Sequence, residues 1–145
     1  MGARACRGSD LTISAERYSS IGSGGTTYTK LFITNRSRRP CTVAGVPKVV
    51  AIERGGRAVG VAVPRPDLRP VASGRRRRVK VAAGKSASFL VAHYDGIGAG
   101  RCKQVSTYGL RVTVPGTGPR QFVRHPMGYC PAPDAGLGLM VGRIE

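Results

Sequence analysis

The residues of this 145-residue chain with chemistry to offer are four cysteines, two histidines and an excess of arginine. Cys6, Cys41, Cys102 and Cys130 include no C-x-x-C pair, so the knuckle spacing of a zinc ribbon is missing and no metal is expected. An even number of widely spaced cysteines in a small strand-rich chain favours two disulfides and an oxidising compartment. Opposed residues across a hairpin share a constant index sum, which ranks the pairings. The turn Gly22-Ser23-Gly24-Gly25 lies between the runs Leu11–Tyr18 and Tyr28–Asn35 and gives a sum of about 47, which Cys6 and Cys41 match. The turn Pro115-Gly116-Thr117-Gly118-Pro119 gives a sum near 234, and Cys102 with Cys130 falls short of it by about the slack of a bulge or frayed end. The expected bridges are therefore Cys6–Cys41 and Cys102–Cys130. The competing reading is a cytosolic chain with four reduced, buried thiols.

Basic residues outnumber acidic ones 24 to 7, a formal charge of +17. Such a field attracts polyanions at low salt, whether nucleic acid, anionic lipid or acidic wall polymer. Two clusters stand out. Arg75, Arg76, Arg77 and Arg78 lead into Val79-Lys80-Val81, and if the valines face inward Arg76, Arg78 and Lys80 form an outward stripe. Arg36, Arg38 and Arg39 mark a polar corner before Pro40. The planar fork of Arg matches phosphate and carboxylate, so both clusters are candidate anion-binding sites. The alternative is a solvated edge strand, where charge discourages sheet-to-sheet aggregation. Nucleic acid is expected only as a nonspecific partner. Arg75–Lys80 contains no interleaved aromatic, and no helix or zinc module offers itself to a major groove.

Catalysis has little support. His93-Tyr94-Asp95 ends a strand-like run, and Ser88 or Ser106 would have to complete a hydrolytic site, but no GxSxG elbow is present. A hydrogen-bonded His93 at the edge of the core is the simpler expectation, and a two-histidine metal site with His125 has no further ligands in its support. The seven acids, Asp10, Glu16, Glu53, Asp67, Asp95, Asp134 and Glu145, form no recognisable pair for glycosidase chemistry or Ca²⁺. Gly22-Ser23-Gly24-Gly25 lacks the Gly-Lys-Ser/Thr and helix of a phosphate loop. The chain is read as a non-enzyme without cofactor.

The elements that must position these residues are strands. Leu11–Ala15 alternates with period two, and Tyr28–Thr34 is its partner. Thr42–Glu53 is broken at Gly45-Val46-Pro47 and turns at Arg54-Gly55-Gly56 into Arg57–Val63. Pro64–Pro70 reads as a rigid loop too rich in proline for a regular element. Arg76–Val81 is expected to form a hairpin with Ser86–Tyr94 through Ala83-Gly84-Lys85, with Ala87, Phe89, Val91 and His93 on one face. Leu110, Val112 and Val114 point inward from Tyr108–Val114, and Gln121-Phe122-Val123 returns beside them. This amounts to about seven to nine strands, hence an all-β, antiparallel, immunoglobulin-like sandwich with two disulfides. A single domain over 1–145 is expected, its core about 6–130 and a short last strand within 137–144. No stretch approaches the ~20 apolar residues of a membrane-spanning helix, and Met1–Ala5 has no apolar core of a signal peptide.

The run Leu31-Phe32-Ile33-Thr34-Asn35-Arg36-Ser37-Arg38-Arg39-Pro40-Cys41-Thr42-Val43-Ala44-Gly45-Val46-Pro47 resembles the L-x-x-x-N-x-S-x-x-P-C-x-x-x-G-x-P signature of the domain of unknown function 4232. Cys6, the segment Val79–Phe89, Leu110–Gly116 and Cys130 fit the rest of that pattern. The resemblance implies export from an actinobacterium as a small disulfide-bonded β-domain, and no reaction. The four-Arg run departs from the family. The expected role is a non-enzymatic binding module, secreted or held at the cell envelope, that engages anionic wall polymer or lipid headgroups, with a protein partner as a further option. The alternative is an inhibitor or effector of an extracellular enzyme acting through the rigid Pro64–Pro70 loop.

Overall fold

A computed structural model describes residues 3–16, 26–68, 78–94, 104–118, 120–130 and 138–145. Twelve strands run through them: β1 (Arg4–Ala5), β2 (Leu11–Ala15), β3 (Thr26–Asn35), β4 (Cys41–Val43), β5 (Lys48–Ile52), β6 (Ala58–Val61), β7 (Val63–Pro64), β8 (Val79–Val81), β9 (Ser86–Tyr94), β10 (Val105–Thr113), β11 (Gln121–Tyr129) and β12 (Leu139–Val141). The count exceeds the expected seven to nine because several are pieces of two or three residues, too short to show any period. They form a five-stranded sheet in the order β2-β3-β9-β12-β7, a four-stranded sheet β11-β10-β5-β6 and a three-stranded sheet β1-β4-β8. The protein is all-β, and no helix among the described residues is long and apolar enough to cross a membrane.

Alternation dictates the core. Leu31 and Ile33 on β3, and Ala87, Phe89, Val91 and His93 on β9, are buried with period two, as are Val49 and Ala51 on β5 and Leu110 and Val112 on β10. Side chains from all three sheets make one hydrophobic cluster. Burying a Leu, Ile or Phe of this kind contributes roughly 1.5–3 kcal/mol. Two polar ties link β11, an edge of the four-stranded sheet, to the β2–β3 side of the five-stranded sheet. The Gln121 amide donates to the carbonyls of Gly8 and Leu11, and His125 Nε2 meets Thr29 Oγ1 at 3.3 Å.

Three expectations need correction. First, Val79–Val81 and Ser86–Tyr94 do not pair as a hairpin. β8 pairs with β4 (Cys41 opposite Val81, Val43 opposite Val79), while β9 lies between β3 and β12. The Ala83-Gly84 turn, with Gly84 at φ +76°, carries the chain from one sheet to another. Second, the short pairings include parallel ones, β1 with β4 and β12 with β7, so the pairing is not wholly antiparallel. Third, Pro64 belongs to a strand. β7 is the outermost strand of its sheet, where a residue without an N–H is tolerated. The last strand, expected within 137–144, is β12, and the tail buries Leu139, Val141 and Ile144. The Gly22–Gly25 turn lies outside the described residues.

Candidate functional site

The corner at Arg36–Arg39 is built by Asn35, which is wholly buried. Its Nδ2 donates to the carbonyls of Arg39 (2.7 Å) and Val81 (3.0 Å), and its Oδ1 accepts from the Ser37 N–H and hydroxyl. One side chain thus bends the chain out of β3 and fastens the bend to β8. Beyond it, Cys41 is bonded to Cys6, the pair expected from the sequence. The geometry differs from the one that ranked it, because Cys6 and Cys41 do not extend the β2–β3 ladder. That ladder runs from Leu11–Asn35 inward with an index sum of 46. Outside it the chain enters the three-stranded sheet, where Arg4 is the partner of Cys41 in a parallel pair.

Arg36, Arg38 and Arg39 are all exposed. The Arg36 Nε donates to Thr12 Oγ1 at 3.1 Å. The nearby acid is already engaged: Asp10 binds the Arg4 guanidinium at 2.8 Å and accepts from the Arg7 N–H, contacts that hold its carboxyl below the usual carboxylate range. The other two ion pairs among the described residues, Arg57–Glu53 and Arg65–Asp67, lie elsewhere. Arg78 and Lys80 are exposed on β8 and beside it, and Val81 is buried, as the alternation requires. Since β4 and β8 are antiparallel, Lys80 stands opposite Thr42, and Arg78 lies beyond the last paired residue at the end away from the arginine corner. Corner and stripe therefore flank one short sheet. β8 is the outermost strand of that sheet, so an edge strand carrying charge describes it as well. Arg75, Arg76 and Arg77 lie outside the described residues, as does Cys102; Cys130 is buried.

Of the candidate catalytic residues, Ser88 and His93 are five positions apart on β9 and face opposite sides of the sheet. Ser106 is exposed on β10, and Asp95 lies outside the described residues. His93 is buried opposite Thr27 on β3, two residues from the Thr29 that meets His125, so both histidines come to the same end of the core. No three His, Cys, Asp or Glu side chains gather there or elsewhere among the described residues. The described part of the Pro64–Pro70 loop, residues 64–68, is held by the Arg65 N–H on the Val141 carbonyl and the Leu68 N–H on the Arg65 carbonyl.

A β-bulge places His125. Thr107 pairs with Met127 but Gly109 with Arg124, so β11 carries one extra residue between them, at His125-Pro126. The bulge also explains how Pro126 sits within a strand. A cleft of about 390 Å³ opens here, lined by Ala15, Glu16, Arg124, His125 and Pro126. Burial lowers the His125 pKa below its ordinary 6.5. The folded state therefore resists a proton that the unfolded chain accepts, and stability falls as pH drops from about 6.5 through the lower folded value. Denaturation midpoints measured from pH 7 to pH 5 should decline in the native chain and decline less in His125→Gln. Equal slopes for the two would assign the acid sensitivity elsewhere. Asp10 acts in a separate window: its stabilisation is present above its unfolded pKa and is lost only as pH falls through its still lower folded value.

Sequence reasoning missed an aromatic–arginine cluster on the four-stranded sheet. Tyr108 stacks with Phe122 (centroids 6.0 Å apart, planes 23°), and the guanidiniums of Arg54 and Arg124 stand 5.6 and 5.3 Å from the Tyr108 ring. The signal was available across strands: an index sum near 234 sets Phe122 and Arg124 against Arg111 and its neighbours.

Fold and site together define a disulfide-braced all-β domain with a basic corner built by a buried asparagine. The chain belongs to the family described as domain of unknown function (DUF4232), whose model matches residues 6–141. No curated protein matches it. The family signature has a structural meaning here. Asn35 and Ser37 build the corner and Cys41 the bridge, while Gly45 holds φ +93° against Pro115 and Pro47 is fully buried.

Proposed function

We propose that the chain is an exported, non-enzymatic binding module of the bacterial cell envelope that engages anionic surfaces through its arginine corner. The observation that carries this reading is the set Arg36, Arg38 and Arg39, exposed on a bend fixed by Asn35 while the neighbouring Asp10 is committed to Arg4. Guanidiniums on a rigid bend without acid partners are set to receive phosphate or carboxylate. A scaffold of the immunoglobulin-like sandwich type, with a second bridge between Cys102 and Cys130, completes the proposal and fits export.

The test is retention on purified cell wall and on vesicles of anionic lipid at about 150 mM salt, where exposed charges act over roughly 8 Å. The chain with Arg36, Arg38 and Arg39 changed to Ser should lose most of its retention on the vesicles of anionic lipid. Unchanged retention on every surface would overturn the corner's role. A second reading, an inhibitor of an extracellular enzyme, draws support from the anchored turn at Arg65–Leu68, which projects Pro66 and Asp67 into solvent.

A further inference from the structure

The large apolar side chains most exposed among the described residues are Val61, Phe122 and Val63. Phe122 and Val61 end one row of the four-stranded sheet. Phe122 stands opposite Arg111, Arg111 opposite Val50 and Val50 opposite Val61. Directly opposed residues share a face, so this row crosses the sheet over roughly 14 Å, on the side away from Leu110 and Val112. In the next row Arg124 is opposite Gly109, and Gly109 opposite Ile52. A Cβ at Gly109 would collide with the Phe122 ring and the Val123 carbonyl, so the ring lies over bare glycine backbone. It remains 49% exposed there, with Tyr108 stacked beside it and Arg54 and Arg124 set over Tyr108.

We propose that this face is a binding site for an anionic glycan, a polysaccharide carrying carboxylate, sulfate or phosphate groups. A pyranose has one apolar C–H face and a hydroxylated edge, so it lies flat on an exposed aromatic ring such as Phe122, with the half-buried Tyr108 beside it. A guanidinium held over a ring keeps its in-plane donors for an anion. None of the ion pairs among the described residues uses Arg54, Arg111 or Arg124, and Glu53, beside Arg54, is taken by Arg57. The shallow row suits an extended chain. A second copy of this protein, itself at +17, would be repelled. Single-stranded nucleic acid uses the same stacking and charge; choosing glycan over it rests on the export reading proposed above.

The experiment titrates size-defined heparin oligosaccharides and polyglucuronate, with neutral dextran and an oligo-dT strand as comparisons, at about 150 mM salt. The proteins are the native chain, Phe122→Ala, Phe122→Tyr and the corner variant with Arg36, Arg38 and Arg39 changed to Ser, each checked for an unchanged thermal melt. The acidic glycans should bind and dextran should not. Phe122→Ala should weaken binding about tenfold or more, as loss of a central aromatic contact does. Phe122→Tyr should restore it, and the corner variant should bind normally. The site is overturned if neither acidic glycan binds, if Phe122→Ala binds as the native chain does, or if oligo-dT binds more tightly than both glycans. Loss in the corner variant alone would also overturn it and leave the arginine corner as the anion site.

Discussion

Replacing Asn35 by Ala will destabilise the domain by about 2–4 kcal/mol. The side chain is wholly buried and makes four hydrogen bonds, two donated to the Arg39 and Val81 carbonyls and two accepted from Ser37. Each is worth about 1 kcal/mol net, and Ala removes one side only. The Val81 carbonyl, paired across the sheet with Cys41, then loses its side-chain donor in the interior, and a buried polar group stripped of a partner costs more than the net value of the bond. Asn35→Asp sharpens the test. Its shape is nearly the same and it still accepts from Ser37, yet it cannot donate to the two carbonyls and sets a carboxylate against them. It should be at least as destabilising as Ala, through the cost of burying charge. The measurement is chemical denaturation. Both variants should lower the midpoint with little change in slope, and amide exchange should rise first at Lys80 and Val81, whose strand is tied to the corner by this side chain. If Asn35→Asp matched the native midpoint, the donor role of the amide would be refuted.

That corner also shows what was legible in the chain. The strands β3, β9 and β10 announced themselves because one face of each meets the core, which forces the period-two pattern visible at Leu31 and Ile33, at Phe89 and Val91, and at Leu110 and Val112. Hairpin registers were legible for the same reason: β2–β3 runs at a sum of 46 against about 47 expected, and β10–β11 at 234, stepping to 233 past the bulge. Sheet assignment was not. Val79-Lys80-Val81 followed by Ala83-Gly84-Lys85 is locally indistinguishable from a hairpin. Its pairing with β4 is decided by the Asn35 contact with Val81, from a residue 46 positions away. The parallel β1–β4 pair is two residues long and has no period to read. The basic run Arg75–Lys80 carries no aromatic of its own, and β-structure interleaves side chains across strands rather than along one. Phe122 lies between Arg111 on the neighbouring strand and Arg124 two positions along its own.

Changing Cys6 and Cys41 together to Ala will cost about 3–4 kcal/mol. The bridge spans 35 residues, a loop that takes in β2, β3 and the corner, so its loss frees a large part of the unfolded ensemble. In the native state the effect should be local as well. β1 holds to β4 over two residues, and the Cys6 N–H bond to the Thr42 carbonyl is one of the few further ties. Without the bridge the first residues should fray from the three-stranded sheet and leave the paired β4–β8 strands with an uncovered flank. Ala is the replacement of choice because both sulfurs lie in the core, at 1% and 0% exposure, where Ser would add unpaired hydroxyls. Thermal melting should fall by roughly 6–16 °C for a domain of this size. Reductant should act slowly on the native chain, because a thiolate must reach a buried sulfur. Non-reducing peptide maps connect the two predictions: the native chain yields Cys6 linked to Cys41, and the proposed Cys102–Cys130 bridge should persist in the double variant. Adding reductant to that variant should then lower its stability further. An unchanged melting temperature on removing the first bridge would mean that the corner, with Asn35 at its centre, holds the three-stranded sheet without covalent help.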